Sequence, residues 1–177
     1  MELSILYSIV RTPLLDSFFL TLSKIVGSYG QLFLILGVLL MIFKKTRKTG
    51  IAIIITYFGV LLFGQLLLKH LISRPRPCHI DTAFTLLVDR PTSTSFPSTH
   101  SAWAFGAATA VYMNYRKVGA AFLIFAVLIA FSRLYMFLHF PTDVLTGIVL
   151  GVILGIVSVK ISTRLIQKGN PPKTTAN

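Results

Sequence analysis

Residues 142–165 read TDVLTGIVLGVILGIVSVKISTRL, an apolar run with one carboxylate, Asp143, near its start and the cations Lys160 and Arg164 near its end. A run of this length is long enough to cross the hydrocarbon core of a bilayer as a helix. Residues 49–69 and 117–136 read the same way, shorter candidates lie at 30–43 and 100–115, and a weaker segment lies at 13–27. The expected fold class is therefore all-α, a polytopic transmembrane bundle of five or six helices. Residues 1–12 read as an interfacial stretch, because Arg11 and Pro13 interrupt an otherwise apolar sequence.

Composition points the same way. Of 177 residues, 54% are hydrophobic and 12% charged, with a mean hydropathy of +0.78, which excludes an ordinary soluble globule. The net charge of +12 does not indicate nucleic acid, because the basic residues sit in short clusters between apolar runs. Lys44, Lys45, Arg47 and Lys48, then Arg116 and Lys117, then Lys160, Arg164, Lys168 and Lys173 make up ten of the seventeen cations and fall on one side of the topology. The positive-inside rule makes that side, and the C-terminus with it, cytoplasmic. The long connection at 70–97 and the turn at 137–141 then face away from the cytoplasm. Residues 1–170 read as one domain and residues 171–177 as a disordered tail. The opening Met-Glu-Leu-Ser lacks the basic region and cleavage site of a secretory signal and is expected to stay in the mature protein. Cys78, the single cysteine, has no internal disulfide partner and reads as a plain loop residue.

The remaining cations are Arg11, Lys24, Lys69, Arg74, Arg76, Arg90 and Arg133. Five of the seven lie at or near the outer side, against the orientation bias, and the chain has only Glu2, Asp16, Asp81, Asp89 and Asp143 to pair with them. Phosphate is the natural partner for such a surplus, since Arg offers paired planar donors and Lys a mobile point charge.

Three outer clusters carry chemistry. Lys69-His-Leu-Ile-Ser-Arg-Pro-Arg76-Pro77 ends a helix in a turn that cannot remain helical and reads as a phosphate clamp, against the plain alternative of basic residues snorkelling at a helix end. Ser95-Phe-Pro-Ser98-Thr99-His100-Ser101 precedes an apolar helix; it is a normal helix start, and it also offers free N–H groups and the positive dipole end to an anion. There His100 would donate a proton to a leaving oxygen. The third cluster is Ser132-Arg133, five residues, His139, three residues, Asp143. Pro141 places Asp143 in the first turn of the last helix, where a carboxylate bonded to one imidazole nitrogen would leave the other free to attack phosphorus. No cluster has metal-ligand spacing and no Gly-rich phosphate loop is present, so metal-free nucleophilic catalysis without a cofactor is expected.

These residues resemble the type 2 phosphatidic acid phosphatase superfamily, whose signature is Lys-x6-Arg-Pro, Pro-Ser-Gly-His and Ser-Arg-x5-His-x3-Asp. The matches are Lys69 with Arg76-Pro77, Pro97-Ser98-Thr99-His100, and Ser132-Arg133 with His139 and Asp143. Thr99 departs from the usual Gly, though its N–H remains. The resemblance implies a helical membrane bundle with an extracytoplasmic site and catalysis through a phosphohistidine. His139 would be the nucleophile, Asp143 its orienting acid and His100 the proton donor; Lys69, Arg76, Ser98, Thr99 and Arg133 would hold the phosphoryl oxygens.

The expected partners are membrane lipids and a lipid phosphate substrate, with undecaprenyl diphosphate first. Phosphatidylglycerophosphate, phosphatidate, diacylglycerol pyrophosphate and lipid A phosphates are alternatives within the same chemistry. A non-catalytic lipid-phosphate transporter would use the cations but not a His-x3-Asp pair beside a second His. The vanadate-dependent haloperoxidases share the motifs but are soluble. The outer loop from Cys78 to Pro91 is expected to cover the site, with Asp81 and Asp89 as solvated charges and Arg90 as a cation for a second phosphate.

Overall fold

The computed structural model describes residues 1–169, and the tail expected at 171–177 lies outside the described residues. Every regular element described is helical: α1 (Glu2–Tyr7), α2 (Pro13–Val26), α3 (Gln31–Ile42), α4 (Arg47–Gly59), α5 (Lys69–Ile72), α6 (Pro77–Ile80), α7 (Thr99–Asn114), α8 (Arg116–Tyr135) and α9 (Pro141–Gly169). α4 runs into α5 through a π-helical stretch, Val60–Leu68. Such a stretch fits extra residues into each turn and so re-aims the side chains beyond it, beginning here with Lys69. The rod then breaks at Ser73, which adopts a left-handed conformation with φ 42, immediately before Arg74-Pro-Arg-Pro.

Three stretches among the described residues, Arg47–Ile80, Arg116–Tyr135 and Pro141–Lys168, are long and apolar enough to cross a membrane. A fourth arises if α2 and α3, bent by 52° at their junction, form one span. By length and composition alone three or four spans are counted, against the five or six read from the sequence, and each apolar run is helical. α7, with 16 residues, is shorter than those stretches and is buried at eleven of them. α2 starts beside Tyr135 at the end of α8 and finishes beside His100 at the start of α7, with Phe19 packed on Phe131 and Tyr135 between these points. It therefore lies across the same end of the bundle at which α8 finishes and α7 starts. Gly27 and Gly30, with φ 75 and 64, make the turn into α3, and a side chain at Gly30 would collide with Trp103.

The bundle is apolar outside and small-residue inside, as lipid-exposed helices require. Along α9, Leu145, Val149, Ile153, Val157, Ile161 and Leu165 recur every four residues, and all are exposed. On the opposite face Gly147, Gly151 and Gly155 meet the backbone carbonyls of Ser98, Ala102 and Gly106 on α7. α7 answers with Ala102, Ala107, Ala108 and Ala110, all buried. This contact sets the spacing between the start of α7, which carries His100, and the start of α9, which carries Asp143. Residues 1–12 are not a bare interfacial stretch: α1 docks Glu2 onto Thr142, whose N–H and hydroxyl donate to it at 3.1 and 2.7 Å.

Long helices run between two chemically distinct ends. α4, α8 and α9 have their basic clusters at one end and Lys69, Arg133 and Asp143 at the other. Tyr115 ties the first two clusters together by donating to the Lys45 carbonyl at 2.7 Å.

Candidate active site

The end opposite the basic clusters holds a cavity of about 740 Å³ whose wall includes Lys69, Arg76, Thr99, His100, Arg133 and His139. Six of the eight residues singled out from the sequence are thus brought to one surface. Three cations are buried there, with 6% of Lys69, 4% of Arg76 and 3% of Arg133 exposed. Clustering buried like charges is costly without an anion to offset them.

Loop residues missed in the sequence hold two of these cations in place. Arg76 donates from Nε to the Ser93 carbonyl at 2.7 Å, from Nη2 to Ser93 Oγ at 2.9 Å and from Nη1 to the Leu138 carbonyl at 3.0 Å. Lys69 Nζ donates to the Thr94 carbonyl at 3.1 Å and to Ser93 Oγ at 3.5 Å. Arg133 spends Nε and Nη2 on Ser132 Oγ, at 3.0 and 2.9 Å. A guanidinium has five N–H donors and an ammonium three, so each cation keeps donors for a ligand.

His139 sits in the turn between α8 and α9, its N–H bonded to the Arg133 carbonyl at 3.3 Å. Arg76 Nη1 lies 3.1 Å from Nε2. A guanidinium only donates, so Nε2 carries the lone pair and the proton is on Nδ1. Burial pushes the imidazole down to about 3, overcoming the opposing pull of Asp143. His139 is therefore neutral at physiological pH, the form with a nucleophilic lone pair.

The expected direct bond between Asp143 and His139 is not formed: Oδ2 lies 3.8 Å from Nδ1, beyond hydrogen-bond reach. Other donors hold the carboxylate. Phe140 N–H reaches Oδ2 at 2.9 Å, Arg74 Nη1 reaches Oδ1 at 2.8 Å, and Ser95 Oγ donates to Oδ2. Ser95 Oγ also lies 3.4 Å from His139 Nδ1, between acid and imidazole. Arg74, read as part of the phosphate clamp, instead stacks over Phe140 at 4.0 Å, pairs with Glu2 and Asp143 and donates to Thr142 Oγ1 at 2.7 Å.

At the start of α7 the expectations divide. Thr99 lines the cavity. Ser98 does not: it is fully buried, its hydroxyl lies 2.9 Å from that of Ser101, and its N–H is bonded to the Asp143 carbonyl at 3.0 Å. Its side chain makes no capping bond. The close α7–α9 contact uses Ser98 to join the helices, which turns it away from the cavity. His100 Nε2 lies 3.0 Å from the Gly27 carbonyl and must donate to it, leaving Nδ1 for proton exchange with a ligand.

The outer loop does line the cavity, through Val88, Asp89, Arg90 and Ser93 among others. Asp89 lies on the wall and is exposed, as expected of a solvated charge. Asp81 ties the loop to α1, accepting from Tyr7 Oη at 2.6 Å. Cys78 lies buried in α6 and is not a surface loop residue. Among the described residues no group of His, Cys, Asp and Glu is arranged to hold a metal ion.

Comparison with known proteins adds a second line of observation. Residues 46–167 match the sequence profile of the PAP2 superfamily. The chain is 33% identical over 146 residues to an undecaprenyl-diphosphatase of Sulfolobus acidocaldarius, covering 80% of this chain and 70% of that one. Its fold superposes on the crystal structure of Aquifex aeolicus LpxE with a TM-score of 0.70 at 31% identity, over 89% of this chain and 92% of the other. It also superposes on a transmembrane PAP2 type phosphatidylglycerolphosphate phosphatase from Bacillus subtilis with a TM-score of 0.74 at 26% identity, over 93% and 85% of the two chains.

Proposed function

The chain belongs to the PAP2 superfamily and is a membrane lipid phosphatase, and from that premise we propose that it hydrolyses undecaprenyl diphosphate to undecaprenyl phosphate through a phosphohistidine on His139. The observation that carries the mechanism is the neutral His139, its Nε2 lone pair on the wall of a cavity that also presents three buried cations. In this reading Nε2 attacks phosphorus while Lys69, Arg76, Arg133 and the N–H groups at Thr99 take up the developing charge. Arg76 shifts its Nη1 donor from Nε2 to a phosphoryl oxygen as substrate arrives. The bond from phosphorus to the leaving oxygen breaks, and His100, which takes up the proton carried in by the substrate phosphate so that Nδ1 is protonated while Nε2–H stays on the Gly27 carbonyl, passes that proton from Nδ1 to the leaving oxygen. His100 then takes a proton from water, which attacks the phosphohistidine and releases inorganic phosphate. Every step uses side chains of this chain, and no metal is called for.

The preference for a diphosphate rests on the outer part of the cavity. Lys24 and Arg90 also line the cavity and, unlike Lys69, Arg76 and Arg133, are exposed, so in this reading they would meet a second phosphate when the first reaches His139. Arg90 is exposed and its Nη2 donates to the Thr82 carbonyl at 3.1 Å. Arg90→Ala is expected to lower kcat/KM for undecaprenyl diphosphate by about tenfold, the loss of one charge-assisted contact, with little change for a lipid monophosphate. The test uses purified protein and a panel of undecaprenyl diphosphate, phosphatidylglycerophosphate, phosphatidate and lipid A. Highest kcat/KM on the diphosphate supports the assignment; faster turnover of a monophosphate by wild type, or equal losses in the variant, overturns it.

The basic clusters of α4, α8 and α9 would face the cytoplasm, with the catalytic end outside. In this topology α7 crosses within the bundle, shielded from lipid by α4, α8 and α9, and α2 lies in the outer interface.

A further inference from the structure

Asp143 is too far from His139 to hold it directly, and the group between them is a residue that the catalytic motifs do not include. Ser95 is fully buried and its backbone N–H is bonded to the Arg74 carbonyl at 2.8 Å, which ties it to the residue whose side chain donates to Asp143. We propose that Ser95 is the positioning residue of the nucleophile, a hydroxyl relay that couples Nδ1 of His139 to the Asp143 carboxylate. The proposal rests on His139 being the nucleophile.

Proton assignment leaves one consistent arrangement. Arg76 occupies Nε2 as a donor, so Nδ1 bears the imidazole proton and needs an acceptor. Asp143 accepts from Phe140 N–H and Arg74, an arrangement suited to an ionised carboxylate, and an ionised carboxylate can only accept. The single hydroxyl proton of Ser95 must then go to Asp143, which turns an oxygen lone pair toward Nδ1, 3.4 Å away. Such contacts are often long before substrate binds and tighten on the reaction path. The chain of donation runs from Nδ1–H to Ser95 Oγ–H to Asp143.

The relay matters most once the reaction starts. When Arg76 turns to the phosphoryl group, nothing on the Nε2 side fixes the tautomer, and the bond at Nδ1 alone keeps the lone pair on Nε2. As the Nε2–P bond forms and the bond to the leaving oxygen breaks, positive charge spreads over the imidazole. The Nδ1 proton stays in place, and its bond to Ser95, polarised by Asp143, stabilises that charge.

Ser95→Ala should lower kcat by about 10- to 100-fold, the scale of losing alignment at a nucleophile, while KM stays within about twofold of wild type because no phosphate contact is removed. Ser95→Thr keeps the hydroxyl and should recover most of the rate. With the histidine ring nitrogens isotopically labelled, NMR of the phosphate-bound protein should give a single His139 tautomer protonated at Nδ1 in wild type and a mixture in Ser95→Ala. Wild-type kcat with a single tautomer in Ser95→Ala would overturn the relay in favour of a direct Asp143 contact. Equal loss in Ser95→Ala and Ser95→Thr, with both melting early, would overturn it in favour of a packing role. His139→Ala separates the two proposals: if it remains active the nucleophile assignment fails, whereas if it is dead and Ser95→Ala is unaffected only the relay fails.

Discussion

His139→Ala is expected to reduce phosphate release from any lipid phosphate by roughly 10⁴- to 10⁶-fold, the scale on which removing an enzymatic nucleophile acts. The effect should fall on kcat. The buried cations that would bind the phosphoryl group, Lys69, Arg76 and Arg133, remain in place in that variant, so the lipid should still bind and KM should move little. The side chain accounts for one buried contact with Arg76 and a loose one with Ser95, so the variant should fold, and its melting temperature in detergent would check this. Rapid quench into alkaline detergent, with substrate labelled in the transferred phosphate, should trap an alkali-stable, acid-labile phosphohistidine in the wild type and none in His139→Ala. Wild-type turnover by the variant would rule out the mechanism. A transporter that merely binds lipid phosphate predicts no turnover by either protein.

The second large effect concerns the fold. A Cβ at Gly151 would lie inside the van der Waals envelope of the Ala102 carbonyl oxygen, 2.9 Å from its Cα and 3.0 Å from its carbonyl carbon. All three are backbone atoms that cannot rotate aside, so α7 and α9 would have to part. Overpacking of this kind costs about 1–3 kcal/mol, and close packing is what associates helices in lipid, where burial of apolar surface gives no drive. Gly151→Ala should therefore lower the melting temperature in detergent by roughly 2–12 °C, and activity should fall with it as the starts of α7 and α9 separate. Val149→Ala, on the exposed face of the same helix, is the control and should melt like wild type. A Gly151→Ala protein as stable and active as wild type would show that this contact does not set the site.

Apolar run length located the helices well: 142–165 lies within α9, 117–136 nearly coincides with α8, and 49–69 spans α4 and the π stretch. Length did not say which helices face lipid, because α7 is enclosed by its neighbours and α2 lies across an end, and both depend on contacts distant in sequence. The cavity wall was legible where charge stood against its surroundings, as at Lys69, Arg133 and His139. It was not legible in Ser93, which read as loop, or in Ser95, which opened the second cluster without a role of its own; only the fold shows that Ser93 anchors two cations and that Ser95 reaches Asp143. Arg74 and Arg76 each precede a proline and only their spacing from Lys69 separates them in sequence; the turn after Ser73 sends Arg74 to Asp143 and Arg76 to the cavity. Ser98 shows the reverse case, a motif position whose hydroxyl the helix contact directs inward.

The span from Pro141 to Lys168 has 28 residues, which at 1.5 Å per residue gives a rod of about 42 Å, longer than a hydrocarbon core of about 30 Å. α8, with 20 residues, matches that core closely. With Asp143 fixed to Arg74, Ser95 and the start of α7, the proposed topology would put the excess of α9 at the end bearing Lys160, Arg164 and Lys168. Long cationic side chains tolerate a shifting interface because their stems stay in lipid while their heads reach water. In that topology a change in bilayer thickness would be met at the basic end of α9, one helix length away from Asp143 and His139.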